Sequence, residues 1–390
     1  MSRWYAYLNT GKRIIKEYDG RSPLSSWLKD FFLQHKQMGS QDRKIISQLV
    51  YSFYRLGHSA SNLLTEDELL YGLFICNSSS NELLANFKPE WNDNIHLSLK
   101  EKESFSLAEG LYWQPNTIFP WLDELSDGMD KNAFNLSHLR QPDLFLRIRP
   151  KQENSVSNKL NEARILFMRL TGNCIVLPNA TKIDQVLSID NEVVIQDYNS
   201  QRVGDFFNFT SGTSISVWDC CAGSGGKSIM AYDLNPYINL TVSDSRASVI
   251  QILTQRFQKA GINKYHSFVS DLTVSQSSLP PGSFDYIIAD VPCSGSGTWS
   301  RTPEQMYFFD HKKITYYSDL QKNIVSQVIP ALKDNGRLIY ITCSVFAQEN
   351  EVIVEFIKTN LGLQLEAKKL LYGNEMKADS MFVAVFKKFK

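Results

Sequence analysis

Along the first third of the chain apolar residues recur at helical spacing, and the strict alternation expected of a half-buried strand is scarce. Ser40 stands where it can cap a helix on which Ile45, Ile46, Leu49, Val50, Phe53 and Tyr54 share one face. Thr65 followed by Glu68 has the form of a capping box leading into Leu69, Leu70, Leu73 and Phe74. The polar run Asn77-Ser78-Ser79-Ser80-Asn81 reads as a loop, and Trp113-Gln114-Pro115-Asn116 as a second helix break. Residues 1–140 are therefore expected to form a helical bundle.

Around Pro142 the period changes. Leu144-Phe145-Leu146-Arg147-Ile148-Arg149-Pro150 reads as a strand stopped by proline, residues 163–170 as a helix, and Ile175-Val176-Leu177 and Val193-Val194-Ile195 as two short strands. A small α/β module over residues 141–200 accounts for them. From Ser214 onward strands and helices alternate, which predicts a Rossmann-like, mostly parallel, doubly wound sheet for residues 201–390. Its expected strands are residues 215–218, 240–243, 267–269, 286–289, 338–341 and 382–385. Four of them run into an acid: Asp219, Asp244, Asp271 and Asp290. In such sheets ligands bind at the carboxyl ends of the strands. Helix capping explains any one of these acids, but four in succession point to a site.

A chain of 390 residues exceeds one ordinary domain, and 43% hydrophobic with 21% charged residues describes a globular protein rather than a disordered one. No stretch approaches the roughly 18 apolar residues needed to span a bilayer, and the N-terminus has no apolar leader-like core, so a cytoplasmic protein without a membrane partner is expected. The six cysteines form no C-x-x-C pair and no cluster of zinc spacing, which predicts reduced thiols and no metal. Net charge is zero but unevenly spread. Residues 1–60 carry ten Lys/Arg against four Asp/Glu, residues 61–140 five against thirteen, and basic residues lead again over 140–170. Two basic segments flanking an acidic one fit solvated helix faces and an RNA footprint equally well.

The loop Asp219-Cys220-Cys221-Ala222-Gly223-Ser224-Gly225-Gly226-Lys227-Ser228 joins the first strand of the large sheet to a helix. Its glycines let backbone approach a ligand closely. Gly226-Lys227-Ser228 imitates the end of a P-loop, but Cys221 stands where the first glycine is required. A dinucleotide fingerprint starting at Gly223 and Gly225 fails at Ser228. Asp-x-Cys-x-Gly-x-Gly does close, as the glycine loop of class I methyltransferases. Asp244, 25 residues beyond Asp219, is placed to accept hydrogen bonds from two ribose hydroxyls, and Asp271 to meet an adenine edge. The expected cofactor is S-adenosylmethionine, held by Asp219, Cys221, Ala222, Gly223, Ser224, Gly225, Gly226, Lys227, Asp244, Arg246, Asp271 and Asp290.

Two further loops leave the same side of the sheet, Asp290-Val291-Pro292-Cys293-Ser294-Gly295-Ser296-Gly297-Thr298-Trp299 and Thr342-Cys343-Ser344. Cytosine C5 is a poor nucleophile until a thiolate adds to C6 and makes C5 enamine-like. A hydrogen bond to N3, a role for Asp290, assists that addition. A base must then remove the C5 proton before the thiolate leaves. A single cysteine in such a turn is more often packing than chemistry. Cys293 and Cys343 on adjacent loops, one of them after Asp-x-Pro, are candidates for catalysis, whereas Cys220 and Cys221 read as packing or loop-shaping residues.

These motifs resemble those of the RNA cytosine-5 methyltransferases of the Fmu/Sun and nucleolar-protein-2 group. Residues 219–228 are similar to the family's Asp-x-Cys-Ala-Ala-Pro-Gly-Gly-Lys-Thr, with Gly223-Ser224 in place of Ala-Pro and Ser228 in place of Thr. Asp290 to Thr298 matches the family's fourth motif without gaps, and residues 338–344 followed by Glu349-Asn350-Glu351 match the sixth. Gln196-Asp197-Tyr198-Asn199-Ser200-Gln201 and Asp379-Ser380-Met381-Phe382-Val383-Ala384 extend the likeness. The helical start, with Asp42-Arg43 and Leu49-Val50-Tyr51 before Arg55, looks like the NusB-type domain of bacterial enzymes that methylate small-subunit ribosomal RNA.

The resemblance implies that Cys343 attacks, that Cys293 assists release, and that Lys227 lies near the target base and Asp290. It implies a monomer acting on RNA, ribosomal before transfer. Transfer RNA as substrate and a non-catalytic RNA-binding ribosome assembly factor are the alternatives.

Overall fold

The helical periodicity of the first part of the chain is realised in the amphipathic helices Arg3–Glu17, Leu24–Gln34 and Ser40–Arg55 and in the helix Glu66–Cys76, which is buried all round from Leu69 to Ile75. The computed structural model describes residues 2–59, 65–110, 113–209, 212–274 and 283–389. In the helix Ser40–Arg55 the apolar stripe is turned inward, with Ile46, Leu49, Val50, Phe53 and Tyr54 buried. Ser40 is the first helical residue rather than the cap. The extended residue before the helix is Gly39, whose N–H donates to Asp42 Oδ2 at 2.7 Å. Thr65 does cap its helix, its hydroxyl accepting the Glu68 N–H at 3.2 Å.

The chain divides into two units, residues 1–141 with 298–311, and residues 142–297 with 312–390. The segment 298–311, which the alternation assigned to the sheet domain, groups with the helices because its large side chains find partners there. Trp299 is fully buried, with ring centroids 5.7 Å from Phe119 and 5.8 Å from Trp121. Buried Arg55 donates to the carbonyls of His138 and Arg140 at 3.1 Å and of Ser300 at 2.8 Å, so one guanidinium holds two further chain segments.

The second unit begins with strands β1 (Leu144–Ile148), β2 (Met168–Arg169), β3 (Cys174–Leu177) and β4 (Val193–Ile195). They form an antiparallel sheet of order β2-β3-β1-β4. Its apolar face packs Leu146, Ile148, Ile175 and Leu177 against Val156 and Leu160 of the helix Glu153–Glu162. The helix expected over residues 163–170 is therefore displaced toward the N-terminus. It stops at Ala163, Arg164 turns left-handed at φ 54°, and Met168–Arg169 becomes an exposed edge strand.

The large sheet contains β5 (Ser216–Asp219), β6 (Asn239–Asp244), β7 (Tyr265–Val269), β8 (Phe284–Asp290), β9 (Leu332–Thr342), β10 (Gln364–Leu371) and β11 (Met381–Lys387). Their order is β10-β11-β9-β8-β5-β6-β7, with β5 to β9 parallel and β11 antiparallel to both β9 and β10. This is the Rossmann-like sheet that the alternation predicts. The expected strands fall inside the observed ones or within a residue of them. The edge strand β10 was not anticipated, because its mixture of Glu366, Lys368 and Lys369 with partly buried leucines lacks the apolar run of a central strand.

Both faces of the sheet are covered. Val217, Ile288, Ile339 and Val383 pack with Ile229, Leu253 and Phe257 on one side; Trp218, Ile287, Leu338 and Phe382 pack with Val325, Ile353 and Val354 on the other. Consecutive residues thus face opposite cores, which explains the continuous apolar runs. Buried ion pairs tie the small sheet and the turn before β4 to the helices Gly226–Leu234 and Ala247–Lys259 that flank the large one. Asp233 Oδ2 and Oδ1 lie 2.6 Å and 2.7 Å from Arg147 and Arg149, and Asp190 lies 2.7 Å from Arg256. Removing one partner from such a pair typically costs about 3–5 kcal/mol, because the other charge stays buried.

Candidate active site

The order of the large sheet reverses between β5 and β8: the chain runs outward from β5 through β6 to β7, then returns to place β8 on the other side of β5. Ligands of open α/β sheets bind at the carboxyl ends of strands at this switch point. Asp219, Asp244 and Asp290 end β5, β6 and β8 there. The glycine loop is pinned over the same edge by Cys220 N–H to Ile288 O at 3.0 Å and Ala222 N–H to Ser243 O at 2.9 Å.

Gly223 and Gly225 are left-handed, at φ 53° and 87°. A side chain at Gly225 would also strike Phe257 at 2.8 Å, whereas one at Gly223 or Gly226 would project into open space. The loop thus presents bare backbone to a ligand at the head of the helix Gly226–Leu234.

The acids along this edge differ in state. Asp219 is fully buried; Oδ2 accepts the Ser228 hydroxyl at 2.6 Å, while Oδ1 has no hydrogen-bond partner among the described residues. Burial pushes its carboxyl up to about 7. Burial works in the same direction on Asp244, but the Arg246 guanidinium and the amides of Arg246 and Gly223 outweigh it and hold that carboxyl below its usual range. Arg246, itself exposed, grips Asp244 with Nε to Oδ1 at 2.9 Å and Nη2 to Oδ2 at 3.2 Å. Asp271 lies just beyond β7, exposed, and accepts from the Thr273 amide and hydroxyl of its own turn.

Lys227, in the first turn of its helix, is buried between two oxygens. Its Nζ donates to Ser200 Oγ at 2.8 Å and lies 3.2 Å from Asp290 Oδ2. The next two loops bring the thiols together: Cys293 Sγ and Cys343 Sγ are 3.3 Å apart and both half-buried. Contact with the Cys343 sulfur, and then burial, push the Cys293 thiol well above its ordinary range. Cys220, buried in the sheet core, is pushed up mainly by burial and lies away from this chemistry.

Residues 210–387 match the family model described as 16S rRNA methyltransferase RsmB/F. Over these residues the chain is similar to the RsmB/F methyltransferases. Over 171 residues the chain is 29% identical to the probable ribosomal RNA small subunit methyltransferase B of Bacillus subtilis (strain 168), covering 43% of this chain and 38% of that protein. Over 160 residues it is 28% identical to the Homo sapiens 28S rRNA (cytosine(4447)-C(5))-methyltransferase, covering 40% of this chain and 20% of that one. The crystal structure of PH0851 shares the fold, with a TM-score of 0.73 at 16% identity over 97% of each chain. The chain spans 34% to 59% of the length of the first curated relatives it matches.

The second unit gathers most of the sequence-predicted residues on one sheet edge, with Asp271 at its periphery. It also recruits residues not singled out for chemistry. Ser200 holds Lys227 from the segment before β5, and Glu349 bonds to the residues following both thiols. Among the described residues no group of three or more His, Cys, Asp or Glu is placed to hold a metal ion, and no helix is long and apolar enough to cross a membrane.

Proposed function

We propose that this protein methylates C5 of a cytosine in RNA, with small-subunit ribosomal RNA as substrate, S-adenosylmethionine as cofactor and a covalent cysteine adduct at C6. The observation that carries the reading is the 3.3 Å approach of Cys293 and Cys343 on the sheet edge that bears the glycine loop.

The residues present fit the cofactor. The bare backbone at Gly223 and Gly226 leaves room along the loop from Cys221 to Gly226, and Asp219 keeps one buried oxygen without a partner among the described residues. Asp244 is a carboxylate held ionised for ribose hydroxyls once Arg246 moves aside, and Asp271 lies toward the adenine end. When bound, S-adenosylmethionine supplies an electrophilic methyl group; the protein's own residues make C5 able to take it.

The Cys293 and Cys343 sulfurs lie 3.3 Å apart, close enough to share a proton, and the family resemblance makes Cys343 the nucleophile toward C6. As the Cys343–C6 bond forms, the 5,6 double-bond electrons shift and C5 becomes enamine-like. Asp290, 3.2 Å from the Lys227 ammonium, is placed to donate to N3 in its protonated form as negative charge builds there during this addition. Once Cys343 is a neutral thioether it no longer holds up the Cys293 thiol, so Cys293 can ionise, take the C5 proton and let the Cys343 thiolate depart.

A cytosine must be unpaired or flipped to enter such an edge. The helical unit supports an RNA partner through a cleft of ≈ 450 Å³ lined by Lys29, Arg43 and Lys44 with Phe32, Tyr51 and three serines. No acidic residue lines it. Chemistry on thiols that must stay reduced fits a cytoplasmic enzyme, which we read as a monomer.

The test is incubation with labelled S-adenosylmethionine and small-subunit ribosomal RNA or transfer RNA. Wild type methylates the ribosomal RNA, Cys343→Ala is inactive and forms no adduct, and Cys293→Ala accumulates covalent RNA. The reverse pattern assigns attack to Cys293. Transfer of label to transfer RNA alone changes the substrate, and no transfer to either RNA favours a non-catalytic assembly factor.

A further inference from the structure

Glu349 is fully buried at the far end of the loop that carries Cys343, between the strand Leu332–Thr342 and the helix Glu351–Thr359, and its two carboxylate oxygens reach both thiol loops. Oε2 accepts the Ser294 N–H at 2.8 Å, and Oε1 accepts the Ser344 hydroxyl at 2.7 Å. Ser294 follows Cys293 and Ser344 follows Cys343, so one carboxylate spans the residues next to both sulfurs. Gln321 completes the clamp. Its Nε2 donates to Glu349 Oε2 and to the carbonyl of Pro292, the residue before Cys293, both at 3.0 Å.

Ser294, Ser344 and Gln321 are themselves buried, and Tyr340 fixes the Glu349 backbone by donating to its carbonyl at 2.6 Å. All three contacts to the carboxylate are donors, which suits the ionised, acceptor-only form. An apolar side chain would fill this space without the cost of burying a charge. What a carboxylate adds is two acceptors at a fixed separation, one for each loop.

We propose that Glu349 is a positioning residue that sets the spacing and orientation of the two thiols. Its consequence for methyl transfer rests on the reading of the cysteine pair given above; its consequence for the thiol geometry does not. Two thiols held this close condense with a trivalent arsenical, the arsenic–oxygen group of phenylarsine oxide exchanging for two arsenic–sulfur bonds with release of one water. Such chelation reports the spacing directly, because the second sulfur adds affinity only when it is within reach.

The test titrates the full-length protein and its Glu349→Ala and Glu349→Gln variants with phenylarsine oxide, alongside Cys293→Ser as the one-thiol reference. Melting temperature and affinity for S-adenosylhomocysteine are measured on the same samples. Wild type binds one equivalent tightly and Cys293→Ser loses that binding. Glu349→Ala binds at least about tenfold more weakly than wild type at unchanged cofactor affinity, and Glu349→Gln, which keeps one acceptor oxygen, falls between.

If the alanine variant does not fold, the glutamine variant carries the test. A folded Glu349→Ala, or failing that a Glu349→Gln, that binds the arsenical as wild type does overturns the proposal. Weakened chelation in a protein whose wild type forms no RNA adduct leaves the positioning role standing and rejects the catalytic reading instead. With activity present, Glu349→Gln lowers kcat without raising KM for RNA.

Discussion

Lys227 Nζ lies 3.2 Å from Asp290 Oδ2 and 2.8 Å from Ser200 Oγ, so a buried ammonium fixes the half-buried carboxylate assigned to cytosine N3. Lys227→Met keeps the length of the side chain and removes its charge. Because general acid and base assistance contributes about 10²–10⁴-fold, kcat is expected to fall by about 10²-fold with KM for RNA little changed. Steady-state kinetics on one RNA substrate check this. A loss confined to KM would place Lys227 in RNA binding rather than beside the chemistry.

Asp244 and Arg246 are distinguished by the cofactor. Hydrogen bonds to a charged group are worth about 1.5–3 kcal/mol, so Asp244→Ala should weaken S-adenosylhomocysteine binding by about 10- to 100-fold. Arg246 holds the same carboxylate from an exposed position, and Arg246→Ala should change affinity by less than Asp244→Ala does. Calorimetric titration of both variants compares them. Equal losses would make Arg246 a direct contact rather than a neighbour that yields to the ribose.

The recurring acid at strand ends made the sheet edge legible, because the strands are apolar on both faces and each acid interrupts the run. Other parts left no local signal. Ser200 meets Lys227 across 27 positions and Glu349 meets Ser294 across 55, and neither separation makes a sequence period. The dense apolar run Ile165-Leu166-Phe167-Met168 is compatible with helix or strand, and the left-handed Arg164 decided it. The return of residues 298–311 to the helical unit depends on where Trp299 and Glu304 find partners, which only the tertiary structure contains. The division of labour between Cys293 and Cys343 is drawn from family resemblance, and its test is the adduct experiment.

Lys29 and Lys44 of the helical cleft are exposed and face no acid lining it. If they neutralise RNA phosphates, the double variant Lys29→Glu/Lys44→Glu weakens binding to a ribosomal RNA fragment with little dependence on sequence. The slope of log affinity against log salt should shrink by about 2, one unit for each phosphate no longer neutralised. Fluorescence anisotropy at several salt concentrations measures it. An unchanged slope would remove this cleft from the RNA path.

Asp219 makes stability depend on pH in a direction opposite to that of most carboxylates. Its folded-state value, pushed up to about 7 by burial, lies above the 3.8 of the free group, so between these values the folded protein binds a proton that the unfolded chain does not. Stability from this group is therefore present at low pH, falls as pH rises through that window, and levels off above about 7. Asp219→Asn retains an acceptor for the Ser228 hydroxyl and removes the titration. Relative to wild type it should gain about 2.6 kcal/mol between pH 5 and pH 8, roughly 1.4 kcal/mol for each pH unit below the folded value. Urea unfolding of both proteins at the two pH values checks the sign, since contributions from other groups cancel in the comparison. A variant whose stability relative to wild type is the same at pH 5 and pH 8 would show that Asp219 is ionised throughout, with a polar partner at Oδ1 in solution.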